Sequence, residues 1–167
     1  REIEETRPRL VFLCNPNNPT GVYLEQGQVE RVARAVGDGG LLALDGAYGS
    51  FVDQSWDSGG LLQRGNVVLL HSMTKDFALA GLRLGYALGP LQALQSMQRH
   101  QPSWSVNAAA QAAGLASLQD QGHMDRARDE VQRSKELLVA GLEGLGLPVQ
   151  PSAANFLLVH VGEAAEL

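Results

Sequence analysis

The stretch HSMTKDFALAGLRLGY, residues 71–86, places Ser72, Thr74 and Lys75 within four residues and sets Arg83 eight beyond the lysine. An amine can act as a nucleophile or carry a proton, and a guanidinium offers paired donors that suit an oxyanion. Two further clusters precede it: NPNNPTG (15–21), which contains Asn18, and DGAY (45–48), which contains Asp45 and Tyr48. Each has a plainer explanation when taken alone. Asn, Pro and Gly are ordinary turn punctuation, a strand-ending Asp often caps a helix, and a lone Lys is usually a solvated surface residue. Together they supply a carboxylate, a phenol, an amine, a hydroxyl and a guanidinium. Such a set can hold an anion, a ring nitrogen and a carbonyl-derived carbon at once.

All three clusters follow short apolar runs: RLVFLC (9–14), GLLALD (40–45) and NVVLLHS (66–72), with LRLGYAL (82–88) and NFLLVHV (155–161) further on. Runs of this length suit strands buried on both faces, and helical segments between them predict an α/β fold with a mostly parallel sheet. Ligands in open sheets of this kind bind beyond the carboxyl ends of the strands, so the clusters are expected to converge on one edge. Val29, Val32, Ala33 and Val36 fall at helical spacing and end at GDGG, which predicts a crossover helix. Residues 104–121 are rich in Ala and Gln, and a longer helical pattern runs from Arg126 through Val131, Leu138 and Leu142 to GLGLP. Two successive helices without a strand between them predict that the sheet has ended. Residues 1–122 then form one domain, and 123–167 a linking helix and the start of a smaller α/β domain. The chain opens without Met and closes on VHVGEAAEL, which looks like a helix beginning after a strand, so a piece of a longer protein is expected.

The motifs NPNNPTG, D-x-A-Y and S-M-T-K-x-F-A-L-A-G-L-R-L-G-Y, in this order, resemble the class I/II aminotransferases, pyridoxal-phosphate enzymes of the type I fold. The likeness covers nearly the whole chain and is greatest to histidinol-phosphate aminotransferases, with the threonine-phosphate decarboxylases of cobalamin synthesis as relatives. The resemblance implies that the fold is part of that family's large domain and that the cofactor is pyridoxal 5′-phosphate. Lys75 would form the resting Schiff base and shuttle the proton, which requires an amine that is unprotonated part of the time. Asp45 would face the ring nitrogen, Tyr48 and Asn18 the ring hydroxyl, and Ser72 and Arg83 the phosphate. A small amino donor, a 2-oxo acid acceptor and a homodimer are implied as well. Two departures stand out: Gly46 where many relatives carry Glu, and Asp76 directly after the lysine. The family's ring-stacking aromatic and substrate-carboxylate Arg find no matching motif in this chain, so the chain alone could be inactive.

One rival chemistry uses the same residues. S-x-x-K is also the nucleophile motif of serine acyl-transfer enzymes, with Ser72 attacking and Lys75 activating it, and SVN (105–107) imitates their S-x-N element. The absence of K-T-G argues against it, as does the apolar strand expected soon after the lysine. The composition narrows the remaining classes. At 44% hydrophobic and 19% charged, with a formal net charge of −5, the chain fits a globular protein and gives no basic block for nucleic acid or an anionic membrane. The single Cys14 permits no internal disulfide and is expected as a small core residue in a reducing, cytoplasmic setting. His71, His100, His123 and His160 show neither i,i+4 spacing nor cysteine neighbours, so no metal site is expected. Trp104 is expected to be a packing anchor.

Overall fold

A computed structural model describes residues 1–162 of the chain. A short helix α1 (Glu2–Thr6) leads into strand β1 (Leu10–Cys14), followed by helix α2 (Gln26–Val36) and strand β2 (Leu41–Asp45). After a 3₁₀ turn at Gly49–Phe51 come helix α3 (Gly59–Leu62), strand β3 (Val67–His71) and the four-residue helix α4 (Met73–Asp76). A second 3₁₀ turn, Ala80–Leu82, precedes strand β4 (Tyr86–Leu88). Strands β1, β2 and β3 are parallel neighbours in chain order, and β4 closes the sheet antiparallel to β3. The fold class is therefore α/β with a mostly parallel sheet, as the alternating runs predict.

Helix α2 shows why the crossover packs as it does. Its N-terminus is a capping box: the Glu25 amide donates to Gln28 Oε1 at 2.8 Å, and the Glu25 side chain accepts from the Gln28 amide. Val29, Ala33 and Val36 then lie on one face against Leu42, Leu44, Val67 and Leu69 of the sheet. Each buried Val or Leu among them contributes on the order of 1.5–3 kcal/mol. The exit of the helix is closed from a distance, since Asn66 Nδ2 donates to the carbonyls of Ala33 (2.9 Å) and Gly37 (3.0 Å). The backbone carbonyls that a helix leaves open at its end are thus met by a side chain from the start of β3.

Five expectations need correction. Burial on both faces fails at β1, where Phe12 is 68% exposed although its register partner Ala43 is buried. The run at 82–88 is a strand only from Tyr86, because Arg83 adopts a left-handed backbone with φ 56° that breaks extension. A Cβ on Gly85 would lie 2.7 Å from the His71 carbonyl oxygen, so the glycine permits the close approach that starts β4. Three helices, not two, follow the sheet: α5 (Leu91–Arg99), α6 (Ala108–Gln119) and α7 (His123–Gly144). The run at 155–161 yields only the short strand β6 (Leu158–Val159), paired antiparallel with β5 (Val149–Gln150) in a separate two-stranded sheet. Trp104 is 97% exposed, so it anchors no packing among the described residues. The helix expected near the end falls on residues 163–167, outside the described part. No described helix is long and apolar enough to cross a membrane.

Candidate active site

Because β1, β2 and β3 are parallel, the segments that follow them emerge at the same edge of the sheet. There Cys14, Pro16, Asn18, Asp45, Ala47, Tyr48 and Lys75 line a cavity of about 360 Å³. That lies within the range of roughly 300–1,000 Å³ common for small-molecule sites. Four of the six residues expected from sequence share this wall. Ser72 and Arg83 do not line it.

Asp45 is the last residue of β2, and the ladder fixes its position. Its Oδ1 accepts the Ala47 amide at 3.0 Å, and Cys14, its register partner on β1, points Sγ at Oδ2 from 3.9 Å. Burial raises the Cys14 thiol above its ordinary value, and the Asp45 charge and hydrogen bond raise it further. The thiol is thus a proton donor to the carboxylate rather than a rival anion, and Cys14 is a half-buried wall residue rather than a core one.

The NPNNPTG segment divides its three asparagines between two tasks. Asn15 is buried and pairs with Leu24, donating from Nδ2 at 3.1 Å and accepting at Oδ1 at 2.6 Å. Asn17 donates to Thr20 Oγ1 at 2.8 Å within the turn. Asn18 faces the cavity, its Nδ2 donating to the Tyr48 hydroxyl at 3.4 Å. The Asn15–Pro16 and Asn18–Pro19 peptides are cis. Tyr48 in turn carries the Lys75 ammonium 5.5 Å from its ring centroid, and the ring of Phe156 meets it edge-on. Carboxylate, phenol, amide and amine are therefore arranged along one surface.

Around the lysine, Ser72 is the residue before α4, and its hydroxyl shares a 2.6 Å hydrogen bond with that of the buried Thr74. Ser-x-x-Lys opens a short helix here and β4 begins only at Tyr86, so the argument from a strand soon after the lysine loses force. Lys75 and Ser72 nevertheless share only the backbone bond from the Lys75 amide to the Ser72 carbonyl (3.0 Å), and their side chains share none. Arg83 is exposed and donates from Nη1 to the Ala80 carbonyl at 3.1 Å. Asp76 is buried and does not line the cavity. Burial pushes its carboxyl up to about 6, against the pull of the Ser50 hydroxyl and the His123 ring. His123 Nε2 also lies 2.9 Å from the Asp76 carbonyl oxygen. Beside the site, Gly46 and His71 line a second cavity of about 180 Å³ with Ser50, Ser55, Ser58 and Trp56. Burial lowers the His71 imidazole, with the Asp45 charge opposing. Among the described residues no group of three His, Cys, Asp or Glu side chains lies close enough to hold a metal ion.

Sequence reasoning gave Cys14, Thr74 and Phe156 no place at the site. Cys14 was recoverable, since aligning the ends of the first two apolar runs places it beside Asp45. Nothing local marks Phe156, 108 positions after Tyr48 in the chain.

The family model for aminotransferase class I and II matches residues 1–167. The chain is 38% identical over 161 residues to a histidinol-phosphate aminotransferase of Anaeromyxobacter sp. (strain Fw109-5), a match covering 95% of this chain and 44% of that protein. A crystal structure of histidinol-phosphate aminotransferase from Sinorhizobium meliloti, in complex with pyridoxal-5′-phosphate, superposes with a TM-score of 0.90 at 27% identity, covering 99% of this chain and 45% of the other. A decarboxylase from Sulfurospirillum multivorans superposes with a TM-score of 0.84 at 26% identity, over 98% of this chain and 44% of that one. The chain spans less than half the length of these relatives.

Proposed function

The chain belongs to the class I and II aminotransferases, and from that membership we propose that the protein transfers amino groups with pyridoxal 5′-phosphate, held through Lys75. The donor would be a histidinol-phosphate-like amino-phosphate or an amino acid, and the acceptor a 2-oxo acid. One observation carries the proposal: Asn18, Asp45, Tyr48 and Lys75, drawn from three separate strand ends, share the wall of one cavity. Their chemistry fits the cofactor. A flat ring with a basic nitrogen, a phenolic oxygen and an aldehyde needs a carboxylate, hydrogen-bonding partners and an amine, and the wall supplies each.

When bound, the cofactor supplies an electron sink for a bond breaking at the substrate's α-carbon. Asp45 would hold a proton at the ring nitrogen, its carboxylate kept in place by the Ala47 amide and the Cys14 thiol. Tyr48 and Asn18 would fix the ring's O3′ atom. Lys75 would move the proton between the substrate's Cα and the cofactor's C4′ atom. Ser72 and Arg83 would take the phosphate, the guanidinium offering paired donors from the turn before β4. Residues 1–122 are proposed as the cofactor-holding part and 123–167 as the link to a smaller domain, within a homodimer.

Decarboxylation is the second reading, favoured by the superposition on a decarboxylase. The two differ in which bond at Cα stands perpendicular to the ring, and among the described residues no arginine that could orient a substrate carboxylate lines the cavity. Borohydride reduction of the full-length protein with pyridoxal phosphate, followed by peptide mapping, tests the central assignment. The cofactor should be fixed to Lys75; fixation elsewhere, or nowhere, overturns it. Assays with histidinol phosphate and threonine phosphate then separate amino transfer from release of carbon dioxide.

A further inference from the structure

Phe156 meets Tyr48 with ring centroids 5.0 Å apart and planes at 84°. It ends a segment, residues 151–156, that lies between β5 and β6 and is fastened on two sides. On one side, Lys135 of α7 donates from Nζ to the carbonyls of Ser152 (2.6 Å) and Ala154 (2.9 Å). On the other, the Ala153 amide donates to the carbonyl of Gly21 at 2.9 Å, in the turn that carries Asn18. Gly21 has φ +70°, and a Cβ there would lie 2.0 Å from Ser152 Oγ, so the Ser152 side chain packs directly onto the bare Gly21 backbone. Ala154, within the segment, is completely buried.

One short stretch therefore touches Tyr48 and the turn that carries its hydrogen-bond partner Asn18. That bond is long, at 3.4 Å, so a small tilt of the phenol would strengthen or break it. Edge-to-face aromatic contacts are directional, because the positive ring edge seeks the negative ring face. Ring contact with Phe156 thus limits the tilts open to Tyr48 in a way that an aliphatic side chain of similar bulk does not.

We propose that residues 151–156 form a clamp on the cofactor-facing phenol, and that Phe156 is a positioning residue setting the direction of the Tyr48 hydroxyl. The inference rests on the functional reading above, in which that hydroxyl faces the cofactor's O3′ atom. Because Lys135 belongs to α7, a shift of that helix relative to the sheet would be passed to Tyr48 through the same segment.

The test uses the full-length protein loaded with pyridoxal phosphate, and it reads the pH midpoint at which the bound cofactor's visible absorbance changes. Phe156→Leu keeps apolar bulk but removes the ring, and should move the midpoint by roughly half a unit in the direction that Tyr48→Phe moves it. Phe156→Tyr keeps the ring and should leave the midpoint in place. The double variant Phe156→Leu with Tyr48→Phe should match Tyr48→Phe alone, since the hydroxyl being aimed is gone. A side chain that only stabilises the fold would lower the melting temperature and leave the midpoint unmoved, and that result overturns the proposal. So does an equal additional shift in the Tyr48→Phe background. Should Phe156→Leu fold poorly, Phe156→Met makes the same comparison. A wild-type protein with no visible band overturns the functional reading and this inference with it. A wild-type band indifferent to residue 156 overturns this inference alone.

Discussion

Replacing Asp76 by Asn should make the protein more stable at alkaline pH and leave it nearly unchanged in acid. Asp76 is only 8% exposed, its Oδ1 has no hydrogen-bond partner, and burial lifts its carboxyl from an ordinary 3.8 to about 6. A carboxyl whose pKa is higher in the folded state binds its proton more tightly there than in the unfolded chain. Its contribution to stability is therefore complete below pH 3.8 and is lost as the pH rises through 6. A rise of about two units, at roughly 1.36 kcal/mol each, sets the cost of the charged form at about 3 kcal/mol. Asn has the same shape without that charge. Urea unfolding at pH 8 should show a gain of roughly 2–3 kcal/mol for Asp76→Asn, shrinking towards zero at pH 4. The Tyr86 phenol supplies a second reading. Its own burial raises it first and the Asp76 charge second, so it should titrate lower in the variant when followed by ultraviolet absorbance. Equal effects at pH 4 and pH 8, or a loss of stability at pH 8, would refute burial as the cause.

Three other substitutions probe the frame of the site. Asn66→Ala removes both donors that close the carbonyl end of α2 and should cost about 1–3 kcal/mol in denaturant unfolding. Gly21→Ala forces a Cβ onto a left-handed backbone and into Ser152; beyond the roughly 1–2 kcal/mol of backbone strain it should displace the 151–156 segment. Faster hydrogen exchange at the Ala153 amide is the corresponding measurement. Cys14 should react with iodoacetamide more slowly at pH 8 than an unhindered thiol, because burial and the Asp45 charge both favour its protonated form. Asp45→Asn removes the second cause and should speed the reaction, while an unchanged rate would assign the whole effect to burial.

The features legible in the sequence were those set by local periodicity. Three parallel strands, the crossover helix and the convergence of NPNNPTG, DGAY and SMTK on one edge all follow from apolar runs of strand length with chemistry at their carboxyl ends. Periodicity failed where tertiary context decides. LRLGYAL looks extended throughout, but Arg83 turns left-handed because the chain must reverse to run antiparallel to β3. Leu91–Arg99 forms α5 although Leu91 and Met97 are exposed and none of its residues is buried. Asn15, Asn17 and Asn18 are identical in type and near one another, and only the fold separates two turn-formers from the one that faces the cavity. Phe156 reaches Tyr48 only through the packing of α7 and the β5–β6 segment, a long-range contact that carries no local signature.

The groups of the proposed site differ in how firmly the fold holds them. Asp45 is built into the parallel ladder and fastened by Ala47 and Cys14. Lys75 and Arg83 belong to a segment, residues 73–83, that concentrates unfavourable terms. Ala78 and Arg83 both adopt left-handed backbones, at φ 53° and 56°, and Asp76 is buried with an unsatisfied oxygen. Left-handed conformations cost about 1–2 kcal/mol per non-glycine residue, and such costs persist where the surroundings or a ligand repay them. Two of the hydrogen bonds holding the segment to its neighbours are long, the Thr74 amide to the Leu84 carbonyl at 3.3 Å and Asn107 Nδ2 to the Leu82 carbonyl at 3.4 Å, while His123 Nε2 meets the Asp76 carbonyl at 2.9 Å. On the proposed function, an anion taken by Ser72 and Arg83 would deliver binding energy to this weak stretch, and ligand binding to the folded state alone raises stability by mass action. Saturating pyridoxal phosphate should therefore slow amide exchange most across residues 73–83 and least in β2. Uniform slowing would mean that the cofactor stabilises the fold as a whole rather than repaying strain beside the lysine.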